Sequence, residues 1–226
     1  HGIYGSSDVA FIGKLVVELE NGEVVTLVTD QSWLTSRRSA IKGGEIYHGE
    51  IYDARLADGW STPGYDVSAW NGVSLDRQSH GELIAHEGPT VKVIPSLERK
   101  PLSLTVYEGT KDNGTRYGEI NTVATHAGDA SVLLKKGQTM VVDFGQNASG
   151  WAKFKVKGAS GAKVNLRFAE MINDSGDTER GNDAAKGALY TIALRSAKAA
   201  GQYILSGDPE GEIYRPTTTF YGFRYC

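Results

Sequence analysis

Two kinds of side chain in this sequence could do chemistry: carboxylates lying close together, and aromatic rings beside them. A pair of carboxylates can act as general acid and general base on a single bond. With 27 acidic residues in the chain, pairs are bound to occur, so only those inside dense motifs are informative. They are Glu50 with Asp53, in Gly49-Glu50-Ile51-Tyr52-Asp53-Ala54-Arg55, and Glu170, in Phe168-Ala169-Glu170. Each has an arginine nearby, Arg55 and Arg167, which favours an ion pair, or a carboxylate accepting backbone N–H bonds at a loop, over acid–base work. No catalytic residue is assigned.

The rings are Tyr47, Tyr52, Trp60, Tyr65 and Trp70, crowded into one region with Glu50, Asp53 and Arg55. Exposed rings stack on the apolar C–H face of a pyranose while carboxylates and amides hold its hydroxyls. On that chemistry Trp60, Tyr65, Tyr52, Glu50 and Asp53 are the candidate carbohydrate contacts. Core packing accounts for most of the rings, Trp33 and Trp70 above all, whereas Trp60 and Tyr65 lie in a Gly/Pro loop. Asp143-Phe144-Gly145-Gln146-Asn147 reads as structural punctuation at the end of a strand, where Gly145 and Gly150 let the backbone turn and Gln146 and Asn147 pair the groups left open.

Metal chemistry finds little support. Asn173 to Glu179 has the acidic and glycine content of a calcium loop, but Ala184 stands where the closing glutamate of such a loop belongs, so a solvated turn is expected. Cys226 is the only cysteine, which excludes an intrachain disulfide and a cysteine-based zinc site. No cofactor is implied. The net charge of −3 and a pI near 6.0 arise from well-mixed charges, which argues against nucleic acid and anionic membrane as partners. No apolar run approaches the roughly 18 residues of a membrane span. Periplasm, cell surface and cytoplasm all stay open as locations.

The elements that must position these residues read as strands. The 226 residues are 40% hydrophobic and 23% charged, with 28 glycines, a globular composition suited to many short strands joined by turns. Leu15, Val17 and Leu19 share one face of an alternating run, and Asn21-Gly22 before a β-branched run predicts a hairpin with a type I′ turn. Ala152, Phe154 and Val156 alternate with lysines, as do Val164, Leu166 and Phe168 with polar residues, and predict an antiparallel pair around Gly158 to Gly161. Gln202 to Leu205 and Pro216 to Tyr225 supply more strands, Gly109 to Gly128 reads as a long surface loop with at most one short strand, and Ala184 to Ala200 alone has helical composition, weakened by Gly187 and Thr191-Ile192. Ser79-His80-Gly81 and Gly88-Pro89 mark a boundary between two domains.

Gly49 to Arg55, with Gly59-Trp60-Ser61-Thr62-Pro63-Gly64-Tyr65-Asp66 and Ser68-Ala69-Trp70, resembles the end of the N-terminal β-sandwich of bacterial α-L-rhamnosidases, glycoside hydrolase family 78. Asp143 to Trp151 is similar to the signature of the next sandwich in those enzymes. Phe168-Ala169-Glu170, Leu194-Arg195-Ser196-Ala197 and Gly222-Phe223-Arg224-Tyr225 continue it in the family's order. Two departures stand out: Gly201-Gln202-Tyr203 where an acidic residue is usual, and Tyr221 where His is usual.

Pattern and resemblance together imply an all-β chain of two antiparallel, jelly-roll-like β-sandwich domains with no long helix. Residues 1–82 would form the C-terminal part of the first sandwich and residues 83–226 the second, concanavalin-like one, with Asp143, Gly145, Gln146, Asn147 and Arg224 as its structural motif. In the family, hydrolysis of terminal α-L-rhamnose is carried by carboxylates of a helical barrel that follows the second sandwich. The resemblance therefore implies a non-catalytic scaffold segment whose first sandwich lacks its opening strands. Its partner would be the remainder of a parent rhamnosidase or another copy of this chain, meeting it near Leu15, Val17 and Leu19. The alternative is a free-standing carbohydrate-binding module for rhamnose or plant glycans.

Overall fold

A computed structural model describes residues 10–76, 84, 87–174 and 181–226. The expected boundary at 82/83 and the Ser79-His80-Gly81 signal lie outside the described residues. In chain order the strands are β1 (Lys14–Glu18), β2 (Val24–Val28), β3 (Leu34–Thr35), β4 (Ile41–Glu45), β5 (Gly49–Asp53), β6 (Asn71–Gly72), β7 (Ser103–Lys111) and β8 (Glu119–Ala127). They continue with β9 (Thr139–Gly150), β10 (Phe154–Val156), β11 (Lys163–Arg167), β12 (Met171–Ile172), β13 (Leu189–Tyr190), β14 (Ala200–Ile204), β15 (Glu212–Tyr214) and β16 (Tyr221–Tyr225). The described residues hold three short 3₁₀ turns and no α-helix, so none is long and apolar enough to cross a membrane. The all-β expectation is met.

The chain forms two compact units, His1–Ser39 with Asp58–Lys92, and Ala40–Ala57 with Val93–Cys226. In the first, β1 and β2 pair in antiparallel register, with Leu15 opposite Leu27 and Val17 opposite Val25. The hairpin is present, but its turn is not type I′. Gly22 alone has positive φ, its N–H bonds Leu19 O, Leu19 N–H bonds Glu23 O, and Asn21 Oδ1 accepts from Glu23 N–H. A three-residue loop ending in a left-handed glycine needs only one such residue, and the Asn21 side chain secures the exit. Leu15, Val17 and Leu27 remain exposed on their shared face.

The second unit carries two four-stranded sheets, ordered β11-β14-β5-β4 and β16-β9-β7-β8, with the pairs β10-β15 and β12-β13 beside them. Among the described residues every pairing of named strands is antiparallel except β5 with β14, whose parallel register sets Gly49 beside Ala200 and Asp53 beside Ile204. Gly49, at φ +105°, begins β5 where a Cβ would fall 1.6 Å from the Ala200 carbonyl oxygen. Only glycine fits that approach.

Three local expectations are corrected. Residues 152–156 and 164–168 do not pair with each other: β10 pairs with β15, and β11 with β14. The segment around Gly158 to Gly161 joins strands of two different sheets, and Phe154, Val156, Val164, Leu166 and Tyr52 all pack on the buried cluster of Tyr203, Leu205 and Tyr214. Alternation shows which face is apolar and says nothing of the strand's neighbour. Gly109 to Gly128 is mostly strand, because β7 and β8 form a long hairpin; β8 is an edge strand half open to solvent, so its polar residues show no clean period. Ala184 to Ala200 contains β13 and a 3₁₀ turn, and positive φ at Gly187, Arg195 and Ala199 breaks any helix.

A second core cluster joins the two sheets around Phe168, Tyr221, Phe223, Ala152 and Ala199. Phe168 stacks on Tyr221 at 4.0 Å and meets Phe223 edge-on at 4.9 Å. Such aromatic packing supplies much of the apolar burial that holds β11 to β16.

Candidate functional site

Glu50 is the second residue of β5 and is 1% exposed. Its Oε1 accepts the Tyr214 hydroxyl at 3.0 Å, and its Oε2 accepts Thr217 N–H and Thr218 N–H at 2.9 Å each and both threonine hydroxyls at 3.2 and 2.8 Å. A carboxylate so occupied ties the segment between β15 and β16 to β5. Burial, followed by the charge of Glu50, pushes the Tyr214 phenol above its usual range and keeps it a donor. Asp53, also buried, receives Arg55 in a two-pronged pair at 2.8 and 2.7 Å and the Arg55 backbone N–H at 3.2 Å. These bonds, the guanidinium's first, hold its carboxyl below the usual value. Tyr52 lies in the second unit's core, stacked on Tyr203 at 5.8 Å.

Trp60 and Tyr65 belong to the first unit, apart from the unit that holds Glu50, Tyr52 and Asp53. Between Asp58 and Trp70 the chain is pinned by bonds from Thr62 N–H to Gly59 O, Tyr65 N–H to Thr62 O and Trp70 N–H to Val67 O. Trp70 is flanked by Trp60 at 6.3 Å and Tyr65 at 6.2 Å, and Trp60 is 63% exposed. The Tyr65 hydroxyl donates to Asp58 Oδ2 at 2.6 Å. That bond raises the Tyr65 pKa, with smaller contributions from burial and from the charge of Asp58.

The Asp143 motif is built differently from a strand end. Asp143 to Asn147 lies inside the twelve residues of β9, and the register with β16 runs from Ala148 opposite Phe223 to Asp143 opposite Tyr225. Four residues, 144–147, therefore stand against Arg224 alone, a large bulge that re-aims side chains. Gly145 forms its bend at φ +77°, where a Cβ would come 2.4 Å from Leu102 Cδ1. Asp143 grips Arg224 through Nε and Nη2 at 2.8 and 2.9 Å and accepts Gly145 N–H at 2.6 Å. The arginine bond leads in holding the Asp143 carboxyl below its usual value. Asn147 donates to Glu170 at 2.8 Å, and Gln146 is exposed.

Two polar centres escaped the sequence reading. Asn173, 1% exposed, donates to Asp183 and to the Ala188 and Leu189 carbonyls and accepts from Asp183 N–H. The calcium-loop segment thus begins in a hydrogen-bonded knot, while residues 175–180 lie outside the described residues. Among the described residues no cluster of three His, Cys, Asp or Glu could hold a metal. The other is Glu212, buried in β15, which accepts the Tyr203 hydroxyl and the N–H groups of Ser206, Gly207 and Asp208. Three successive N–H groups after Leu205, at Ser206-Gly207-Asp208, were the available signal.

Burial alone would raise the Glu212 pKa, yet those bonds outweigh it and bring the carboxyl down to about 2 from an ordinary 4.5. A depressed carboxylate contributes stability that is complete above the unfolded value and is lost as pH falls through the folded one. Glu212→Gln is therefore expected to flatten the loss of stability between pH 4.5 and 2, as read from urea midpoints at each pH. An unchanged acid slope would exclude Glu212 as its source.

The family description "Alpha-L-rhamnosidase N-terminal domain" matches residues 1–95, and "Bacterial alpha-L-rhamnosidase concanavalin-like domain" matches residues 134–226. The chain belongs to the bacterial α-L-rhamnosidase family. An α-L-rhamnosidase of Streptomyces avermitilis is 29% identical over 218 residues, covering 96% of this chain and 17% of its own length. One from Alteromonas sp. (strain LOR) is 27% identical, covering 95% and 19%. The crystal structure of the Streptomyces avermitilis α-L-rhamnosidase complexed with L-rhamnose superposes with a TM-score of 0.67 at 27% identity, over 95% of this chain and 17% of that one. The α-L-rhamnosidase of Dictyoglumus thermophilum gives 0.66 at 29% identity, over 95% and 20%.

Measured against these relatives, the chain spans less than a quarter of an α-L-rhamnosidase. Its departures from the usual rhamnosidase pattern are accommodated locally. Tyr221 donates its hydroxyl to the Ala200 carbonyl at 2.8 Å, and Gly201, where an acidic residue is usual, stands between Leu166 of β11 and Glu50 of β5.

Proposed function

We propose that this chain is a non-catalytic β-sandwich segment of an enzyme that removes terminal α-L-rhamnose from glycans or glycosides, serving as scaffold and contributing a carbohydrate contact. The observation that carries this reading is the state of Glu50. Five hydrogen bonds from Tyr214, Thr217 and Thr218 occupy its oxygens, and a general acid or base must reach its substrate within one hydrogen bond or one water. Asp53 and Asp143 are likewise taken up by arginines.

The partner in this reading is the remainder of the parent rhamnosidase or a second copy of the chain, meeting it near Leu15, Val17 and Leu19, all of them exposed. Burying apolar area is worth about 25 cal/mol per Å², so even a face of a few hundred Å² gives a strong drive to association. The alternative, a free-standing carbohydrate-binding module, is favoured by one observation, the exposure of Trp60.

One preparation tests both halves. The isolated chain is expected to show no turnover of an aryl α-L-rhamnoside above background and to self-associate with rising concentration in light scattering. Turnover that disappears in Glu50→Gln or Glu170→Gln would overturn the non-catalytic reading. A strict monomer at every concentration, with the apolar face closed by residues of this chain alone, would favour the free-standing module.

A further inference from the structure

We infer that Arg195 is a carboxylate anchor, held out on a strained turn to grip an aspartate or glutamate on the surface of the protein that this segment supports. That this partner is the rest of an α-L-rhamnosidase rests on the scaffold reading. The anchor itself rests on the backbone and the surroundings of Arg195.

Residues Leu194 to Ala197 form a turn closed by the Ala197 N–H on the Leu194 carbonyl at 3.0 Å. Arg195 is its first central residue, at φ 54° and ψ −116°, the conformation that a type II′ turn reserves for glycine. Elsewhere the chain keeps to that rule: among the described residues fifteen glycines take positive φ, against two other residues, Arg195 and Ala199. Ala199 is compensated. It is 7% exposed within the aromatic core cluster, its N–H bonds the Tyr47 carbonyl, and its carbonyl accepts the Phe168 N–H. Arg195 is exposed, and its guanidinium has no hydrogen-bond or ion-pair partner among the described residues. A side chain held in a glycine-type conformation stores strain, and such strain gathers at clamps that must present a group in one direction.

The turn is fixed on both sides. Leu194 N–H bonds Thr191 O and Arg195 N–H bonds Ile192 O at its entry, while Ala199 ties its exit to Tyr47 and Phe168. A guanidinium carried on such a base loses less freedom on binding. Its planar fork suits a carboxylate, as Arg55 and Arg224 show by gripping Asp53 and Asp143 through two nitrogens each. A phosphate nest needs outward backbone N–H groups, and those of Arg195 and Ala197 are spent inside the turn. Two further exposed cations without side-chain partners lie near it in the chain and the ladder: Lys198, and Arg167, which stands opposite Ala200 in the register of β11 with β14. They favour a partner of the same negative sign. Most of an α-L-rhamnosidase lies outside the region that this chain matches, and that remainder is the partner we assign.

The test uses this chain and three variants. Arg195→Gly is expected to unfold at higher urea than Arg195→Ala, which keeps the Cβ and with it the strain, even though glycine frees the unfolded chain more. End-blocked hexa-L-glutamate stands in for the partner. It is titrated into the ¹⁵N-labelled chain while the arginine side-chain N–H signals are followed, with inorganic phosphate in a second arm. The Arg195 signal is expected to shift saturably with the peptide. Arg195→Lys, which keeps the charge and loses the fork, is expected to weaken binding at least about fivefold, as read on the Ser196 and Ala197 amides.

Equal urea midpoints for the glycine and alanine variants would overturn the strain. A silent Arg195 signal, or peptide binding unchanged in Arg195→Lys, would overturn the anchor. Phosphate binding as tight as peptide binding would overturn the carboxylate partner. An Arg195 signal that moves with protein concentration alone would assign the turn to a second copy of the chain, overturning the proposal. None of these outcomes touches the scaffold reading, which fails instead if the isolated chain turns over an aryl α-L-rhamnoside.

Discussion

Phe168→Ala is expected to destabilise the second compact unit by about 3–5 kcal/mol. Phe168 is 0% exposed, lies flat on Tyr221 at an interplanar angle of 13° and meets Phe223 at 67°. Its backbone N–H also bonds the Ala199 carbonyl, so the ring cannot drift to fill the gap. Removing it forfeits the transfer of the ring from water and leaves a void between the two four-stranded sheets. Urea unfolding should show a lower midpoint at constant slope. Phe168→Leu, which restores most of the volume without the ring contacts, should recover more than half of the loss. A Phe168→Ala midpoint within error of the parent would mean that the core closes over the void and that this cluster does not hold the sheets together.

Glu50→Ala is the second large effect, with an expected loss of about 3–5 kcal/mol. The change removes the acceptor for two backbone N–H groups and three hydroxyls at once. The hydroxyls can turn to other acceptors, whereas the N–H groups of Thr217 and Thr218 are fixed by the backbone. Glu50→Gln keeps the shape but turns an NH₂ toward donors, and is expected to lose about 2 kcal/mol. The same urea titration tests both. If Glu50→Gln proved more stable than the parent, the carboxylate would be a strained group kept for chemistry, and the scaffold reading would have to be given up.

The sequence reading went furthest where the physics is local. Val24 to Val28 forms a strand because β-branched residues suit a pleated, half-buried surface, and Asn21-Gly22 turns the chain because glycine tolerates positive φ. Glu50 and Asp53 were legible as carboxylates engaged by an arginine or by backbone N–H groups, and each is engaged in that way. The arginine beside Asp53 is two residues along the chain, so spacing revealed it. The threonines that hold Glu50 are 167 and 168 residues away, and no local pattern could have named them.

Asp143-Phe144-Gly145-Gln146-Asn147 marks the limit of local reasoning. Two glycines in a polar run suggested a turn after a strand, and the residues do bend at Gly145. Yet the chain continues as β9, because β16 offers Arg224 to Asp143 and resumes pairing beyond the bulge. Whether a glycine ends a strand or bulges it depends on whether a neighbouring strand is there to pair with the residues on its far side.

By itself the sequence determined an all-β chain of short strands without a disulfide, the apolar face of most of those strands, and, through its motifs, the rhamnosidase resemblance that the comparisons bear out. Only the tertiary structure decided which strand lies beside which. It set β5 parallel to β14, sent β10 to β15 instead of β11, gave Glu50 its five donors and left Trp60 facing solvent. The reason is physical. A residue's neighbours along the chain set its backbone preference and its face, whereas strand pairing is settled by how whole apolar faces and backbone donors are satisfied together, across separations no local pattern spans.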